Sequence, residues 1–171
     1  AAAGARKVLC INHEVGNLAL DERCRGLTEG LRAKGASASV LAVNLADPTD
    51  AQQRITGALG RDGQIDGVLT LGPGGATPAL AALRAMKGAR RIHFGTFDLA
   101  SDVLQALQQK EALFAIDQQP YLQGYLGVTL LVKYLETGAI AGGQQIIRTG
   151  PGFVTPENAQ QVAQMIERGI R

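Results

Sequence analysis

The chain has 171 residues, 46% of them hydrophobic and 19% charged, which suits one globular domain with its own core and excludes a disordered chain. A net charge of +2 gives no electrostatic case for nucleic acid. No apolar run approaches the ~20 residues of a membrane helix, and residues 1–5 carry no signal-peptide pattern, as a processed secreted chain also would not.

In chain order, Lys7-Val8-Leu9-Cys10-Ile11 reads as a buried strand, and 12–17 as a polar loop. Leu20, Leu27 and Leu31 space a helix over 18–34, with Gly35 as its stop. A second strand covers 39–43. Asp47 is an N-cap and Pro48 the first helical position of the second helix. A third strand covers 65–71, followed by a tight Gly72-Pro73-Gly74-Gly75 turn and a helix over 77–86. Strand 91–97, helix 101–109 and strand 112–116 complete the pattern. Five strands alternating with helices predict a three-layer, doubly wound parallel α/β sheet covered on both faces, in the order 2-1-3-4-5.

Two of these strands run into polar ends: Ile92-His93-Phe94-Gly95-Thr96-Phe97-Asp98 and Phe114-Ala115-Ile116-Asp117-Gln118-Gln119-Pro120. In a parallel sheet, ligands sit at the carboxyl ends of the strands. Carboxylate and carboxamide together accept and donate hydrogen bonds, which suits a neutral, hydroxyl-rich ligand better than a phosphate. After Pro120 the character changes. The helix over 121–136 is apolar nearly all round, more than a five-stranded sheet can bury, so a partner surface is implied. A turn over 138–143, a strand over 145–148, a loop over 149–152 and a helix over 156–168 follow.

Other features favour plain readings. Cys10 and Cys24 lie on the first strand and the helix that packs on it. That geometry leaves both a disulfide and two buried thiols open, and the spacing fits no zinc site. Gly72-Pro73-Gly74-Gly75 lacks the Lys-Ser/Thr of a phosphate-binding loop. Arg84, Lys87, Arg90 and Arg91 are expected to complement a helix dipole. His13 with Glu14 could form an acid–base pair, but no activated nucleophile accompanies them. We expect no enzyme, no cofactor and no metal.

Arg23-Cys24-Arg25-Gly26-Leu27, Phe97-Asp98 and Ile116-Asp117-Gln118-Gln119-Pro120-Tyr121-Leu122-Gln123-Gly124 resemble, in order, the sugar-binding proteins of bacterial ABC transporters of the ribose-binding type. The effector domains of LacI-type repressors share that fold, and Thr149-Gly150-Pro151-Gly152-Phe153-Val154-Thr155 resembles the tail of several such transporter proteins. The resemblance implies one lobe, the C-terminal half, of a type I periplasmic binding protein. Its two lobes close on a monosaccharide or polyol about a hinge, in the periplasm, and an ABC permease reads the closed form. By position, Arg23 would hold two sugar oxygens with its forked guanidinium. Asp98 would accept from two hydroxyls, Phe97 would cover an apolar sugar face, and Gln118 would be the hinge glutamine. Asn17 and His13 fall in the loop facing the cleft. Leu27 replaces an aromatic, and Gly72-Pro73 replaces a common Asn-Asp contact.

The implied organisation is an α/β domain over 1–119, a hinge-crossing helix over 120–144 and a returning strand and helix over 145–171. The helix at 121–136 would then pack on the first lobe or on a second copy of the chain. Two alternatives stand beside this reading: the effector half of a LacI-type regulator, and a flavodoxin-like nucleotide-binding enzyme.

Overall fold

Apolar runs set between turn residues become strands, and the amphipathic stretches between them become helices. The computed structural model describes residues 2–86, 90–140 and 146–171. In order, the elements are β1 (Lys7–Asn12), α1 (Leu18–Arg32), β2 (Ser37–Ala42), α2 (Pro48–Arg61), β3 (Gly67–Thr70) and α3 (Pro73–Ala85), then β4 (His93–Phe97), α4 (Ser101–Gln108), β5 (Phe114–Asp117), α5 (Pro120–Thr137), β6 (Gly152–Val154) and α6 (Ala159–Glu167). The sheet order is β2-β1-β3-β4-β5-β6. The first five strands are parallel, in the expected order, and β6 adds an antiparallel edge that pairs Asp117 with Gly152.

Local signals explain the helix starts. Asp47 Oδ1 accepts from the backbone N–H groups of Thr49 (2.9 Å) and Asp50 (3.1 Å), with Pro48 at the first position of α2. The glycine-rich segment after β3 is not a turn before a helix. It is the first turn of α3, with Gly72 at the cap and Pro73 inside, because Pro73 fixes a helical φ and the amides of Gly75 and Ala76 already bond the Gly72 carbonyl. A Cβ on Gly74 would come within 2.7 Å of Leu45 Cδ1, so a larger residue there would have to displace the Leu45 side chain on the β2–α2 loop.

Both faces of the sheet are covered, as expected, but unequally. Residues of α2, α3, α4 and α6 build the larger core with Ile11, Val68, Phe94 and Ala115. On the opposite face α1 packs Leu20, Cys24 and Leu31 against Val8, Cys10, Leu69 and Leu71. Cys10 and Cys24 form a disulfide there, with Cα atoms 5.9 Å apart. It ties α1 to β1 and settles the pairing that the sequence left open. Replacing both cysteines by alanine should cost about 3 kcal/mol by the loop-entropy argument, seen as a lower urea midpoint.

Two of the later elements fall elsewhere than expected. Residues 146–148 form no strand, Gln145 lies outside the described residues, and the returning strand is β6 at Gly152–Val154, where the chain meets the free edge of β5. The last helix starts at Ala159, because Asn158 Oδ1 accepts from Thr155 N–H in a turn that delays it. Of the basic group, Arg84 lies in the last turn of α3, as a charge complementing the helix dipole would. Arg84 pairs with Glu111 at 2.8 Å, Arg90 donates to the carbonyls of Leu59 (2.5 Å) and Gly63 beyond the end of α2, and Lys87 lies outside the described residues.

Helix α5 stands apart. None of its residues is buried, and Val128, Leu131 and Leu135 are 67%, 58% and 75% exposed. No helix among the described residues is long and apolar enough to cross a membrane.

Candidate functional site

The carboxyl ends of β4 and β5 and the first turns of α1 meet at one rim of the sheet. At the end of β4, the chain turns through Asp98 with φ of 62°, a left-handed conformation that aspartate tolerates better than most residues. The turn is held because Asp98 N–H donates to the Ile116 carbonyl at 2.8 Å. Its carboxylate is then gripped from β5: Gln118 Nε2 donates to both Oδ1 and Oδ2, each at 2.8 Å. Beneath it, Thr70 and Thr96 are fully buried, with Thr70 Oγ1 donating to Thr96 Oγ1 (2.7 Å) and Thr96 Oγ1 to the Phe97 carbonyl (3.0 Å).

Arg23 reaches this carboxylate from α1. Its Nη1 donates to the Leu71 carbonyl at 2.7 Å and stands 4.0 Å from Asp98 Oδ2. Its guanidinium carbon lies 4.4 Å from the centre of the Phe97 ring. Charge, carbonyl and aromatic face together fix a planar fork of donors, and among the described residues only Nη1 is engaged. The ring face of Phe97 turned to Arg23 is therefore occupied by that guanidinium, and the ring also packs against the α1-side core.

His13 continues the rim beyond β1. It lies against the start of α3, where a Cβ on Gly75 would stand 3.6 Å from its Nδ1. That nitrogen is buried without a hydrogen-bond partner among the described residues. Burial lowers the His13 pKa below its ordinary 6.5. The charge of Glu14 opposes this and that of Arg23 assists it. The sign follows: below pH 6.5 the unfolded chain binds a proton that the folded imidazole resists, so folding stability falls as the pH drops through that window. His13→Gln should flatten the fall in Tm between about pH 6.5 and 5 relative to the parent, as read by calorimetry across pH.

Asn17 is placed otherwise. Its Oδ1 accepts from Ala19 N–H at 3.0 Å as the cap of α1, and its Nδ2 donates to Glu14 Oε2 at 3.1 Å. Both functional ends of the side chain are taken by the loop itself. The structure thus brings Arg23, Phe97, Asp98 and Gln118 together, with His13 alongside, and commits Asn17 to capping. Sequence reasoning missed the groups that shape this rim from behind. Buried Asn12 donates to Asp21 Oδ1 at 2.7 Å and sets the 12–17 loop. Asp117 is 2% exposed and paired with Arg171. A polar residue ending an apolar strand was the available signal for both. No cluster of metal-ligating side chains occurs among the described residues.

The strand ends of the parallel sheet thus present a carboxylate, a carboxamide and a stacked guanidinium at one rim. The family model described as "Periplasmic binding protein domain" matches residues 1–139. The chain belongs to the periplasmic binding protein family, and its fold is one lobe of a type I member. It is similar to a carbohydrate transporter from Acidothermus cellulolyticus 11B solved with myo-inositol, at 34% identity and a TM-score of 0.87 over 99% of this chain and 58% of that one. Two further structures share the fold. A periplasmic ribose ABC transporter from Conexibacter woesei DSM 14684 matches at 20% identity and TM-score 0.82, over 98% of this chain and 57% of that one. A solute binding protein from Agrobacterium Radiobacter, in complex with D-arabinose, matches at 21% and 0.72, over 97% and 54%. No curated protein sequence matches the chain. The chain therefore spans little more than half the length of these relatives.

Proposed function

We propose that this chain is a ligand-gripping lobe of a solute-binding protein serving an ABC importer for a monosaccharide or cyclic polyol, acting outside the cytoplasm and without catalysis. The observation that carries the reading is the bidentate grip of Gln118 on Asp98 with Arg23 stacked beside it. A carboxylate already oriented by its neighbours accepts hydroxyl hydrogens at little further entropic cost. The remaining guanidinium donors of Arg23 suit hydroxyl oxygens. His13, held neutral by burial, adds a hydrogen-bonding edge without charge. A rim with both signs paired off suits a neutral ligand better than an anion. The Acidothermus protein, solved with myo-inositol, supports a cyclic polyol as the first probe. The disulfide fits an oxidising compartment.

In this reading the open rim is half of a cleft. The first lobe of a relative-like protein, or a second copy of this chain, supplies the other half and covers α5. The test is a thermal-shift and NMR panel of myo-inositol, D-ribose, D-arabinose and D-galactose against ATP and flavin mononucleotide. Saturable shifts at the rim with one or more of the neutral compounds are expected. A response confined to the nucleotides would overturn the proposal in favour of a flavodoxin-like site.

A further inference from the structure

The rim depends on Gln118, and Gln118 sits on a turn whose geometry is fixed from the side away from the ligand. Gln119 adopts a left-handed φ of 58°, and its N–H donates to Asp117 Oδ1 at 2.8 Å. The other oxygen of Asp117 accepts from Arg171, with Nε at 3.0 Å and Nη2 at 2.9 Å. Asp117 is 2% exposed, so this is a buried carboxylate with a forked partner. Arg171 comes from beyond α6 and reaches Asp117 past β6, where a Cβ on Gly152 would stand 3.7 Å from its Nη2. The Gln118 carbonyl is held as well: Thr149 Oγ1 donates to it at 3.2 Å and Gln123 Nε2 at 2.8 Å. Segments from β5, α5, residues 149–152 and the region after α6 thus converge on one residue.

We infer that the Arg171–Asp117 pair is a positioning device for the ligand-binding Gln118. It locks the 117–119 turn so that the carboxamide is presented to Asp98 before any ligand arrives. The inference rests on the binding role proposed above for Gln118 and Asp98. The physical reason is that a buried carboxylate without its partner cannot stay where it is. Without Arg171, Asp117 turns toward water, the bond to Gln119 N–H is lost, and the left-handed turn relaxes. The Gln118 carboxamide carried on that turn then no longer meets both oxygens of Asp98. Lysine would restore charge but not the forked geometry, so its rescue should be partial.

The test uses the full chain without ligand. In Arg171→Met, the Gln118 side-chain amide resonances should move toward those of a free glutamine, and exchange of Gln119 N–H should quicken by at least about tenfold. Arg171→Lys should fall between. The double variant Asp117→Ala with Arg171→Met leaves no buried charge and no acceptor for Gln119 N–H, so it decides the matter if the single variant unfolds, and it too should release Gln118. Gln118 resonances and Gln119 exchange unchanged from the parent in the double variant would overturn the inference. A parallel titration with myo-inositol should show affinity falling by about tenfold in Arg171→Met. If the parent itself does not respond to myo-inositol, the proposed ligand class fails, while the ligand-free amide measurements still decide the role of Arg171.

Discussion

Asp98→Ala is expected to abolish binding of whichever neutral sugar or polyol the parent binds, with a loss of about 3 kcal/mol or more, on the order of 100-fold. The truncation removes three things at once. Ligand hydroxyls lose their acceptor, Gln118 Nε2 loses both of its bonds, and Arg23 keeps its charge with its nearest anion gone. Alanine also tolerates the left-handed backbone at position 98 less well than aspartate. Asp98→Asn separates these effects, since asparagine keeps both the shape and the left-handed tolerance. It should fold like the parent and still bind at least about tenfold more weakly, because a neutral amide cannot accept from Gln118 and two hydroxyls at once. Calorimetric titration of the three proteins checks the order. Parent-like affinity in Asp98→Ala would remove Asp98 from the site.

The second large effect lies on α5. Tyr121, Tyr125, Val128, Val132 and Leu135 recur at alternating spacings of four and three, the seam of a helix that packs on another helix or a sheet. All five are exposed, and the rings of Tyr121 and Tyr125 already stack at 6.3 Å. Burying five such half-covered side chains is worth on the order of 5 kcal/mol. The isolated chain should therefore self-associate with rising concentration in light scattering and bind a hydrophobic dye. Val128→Glu with Leu135→Glu should return it to a monomer at nearly unchanged Tm, since neither side chain is buried within the chain. A compact monomer that takes up no dye would show that α5 needs no partner.

Much of the fold was legible because its signals are local. The apolar run Lys7-Val8-Leu9-Cys10-Ile11 has the length of a strand, and Asp47-Pro48 has the pattern of a helix start. Right-handed crossovers left few topologies, and the favoured order of the first five strands is the one observed. The misplaced strand at 145–148 shows the opposite case. Ile146 and Ile147 look like a strand, yet β6 forms at Gly152–Val154 because pairing is decided by where β5 leaves an open edge. Gly72 to Gly75 misled for a related reason: glycines usually end structure, but here Pro73 starts the helix and the glycines fill its first turn close to Leu45. At the rim, Arg23, Phe97, Asp98 and Gln118 were legible as polar or aromatic residues at strand and helix ends. Asn17 fell there too, and only the coordinates show its side chain spent on a cap. Arg171 was not legible, because nothing local links it to Asp117, 54 residues earlier.

The most direct test of the account is an NMR titration of the chain with myo-inositol, following the side-chain resonances of Gln118 and the Nε–H of Arg23. The account predicts saturable shifts of both, absent in Asp98→Ala. Shifts confined to the amides of Gly74 and Gly75 on addition of ATP or flavin mononucleotide, with the Gln118 and Arg23 signals silent to every neutral compound, would contradict it.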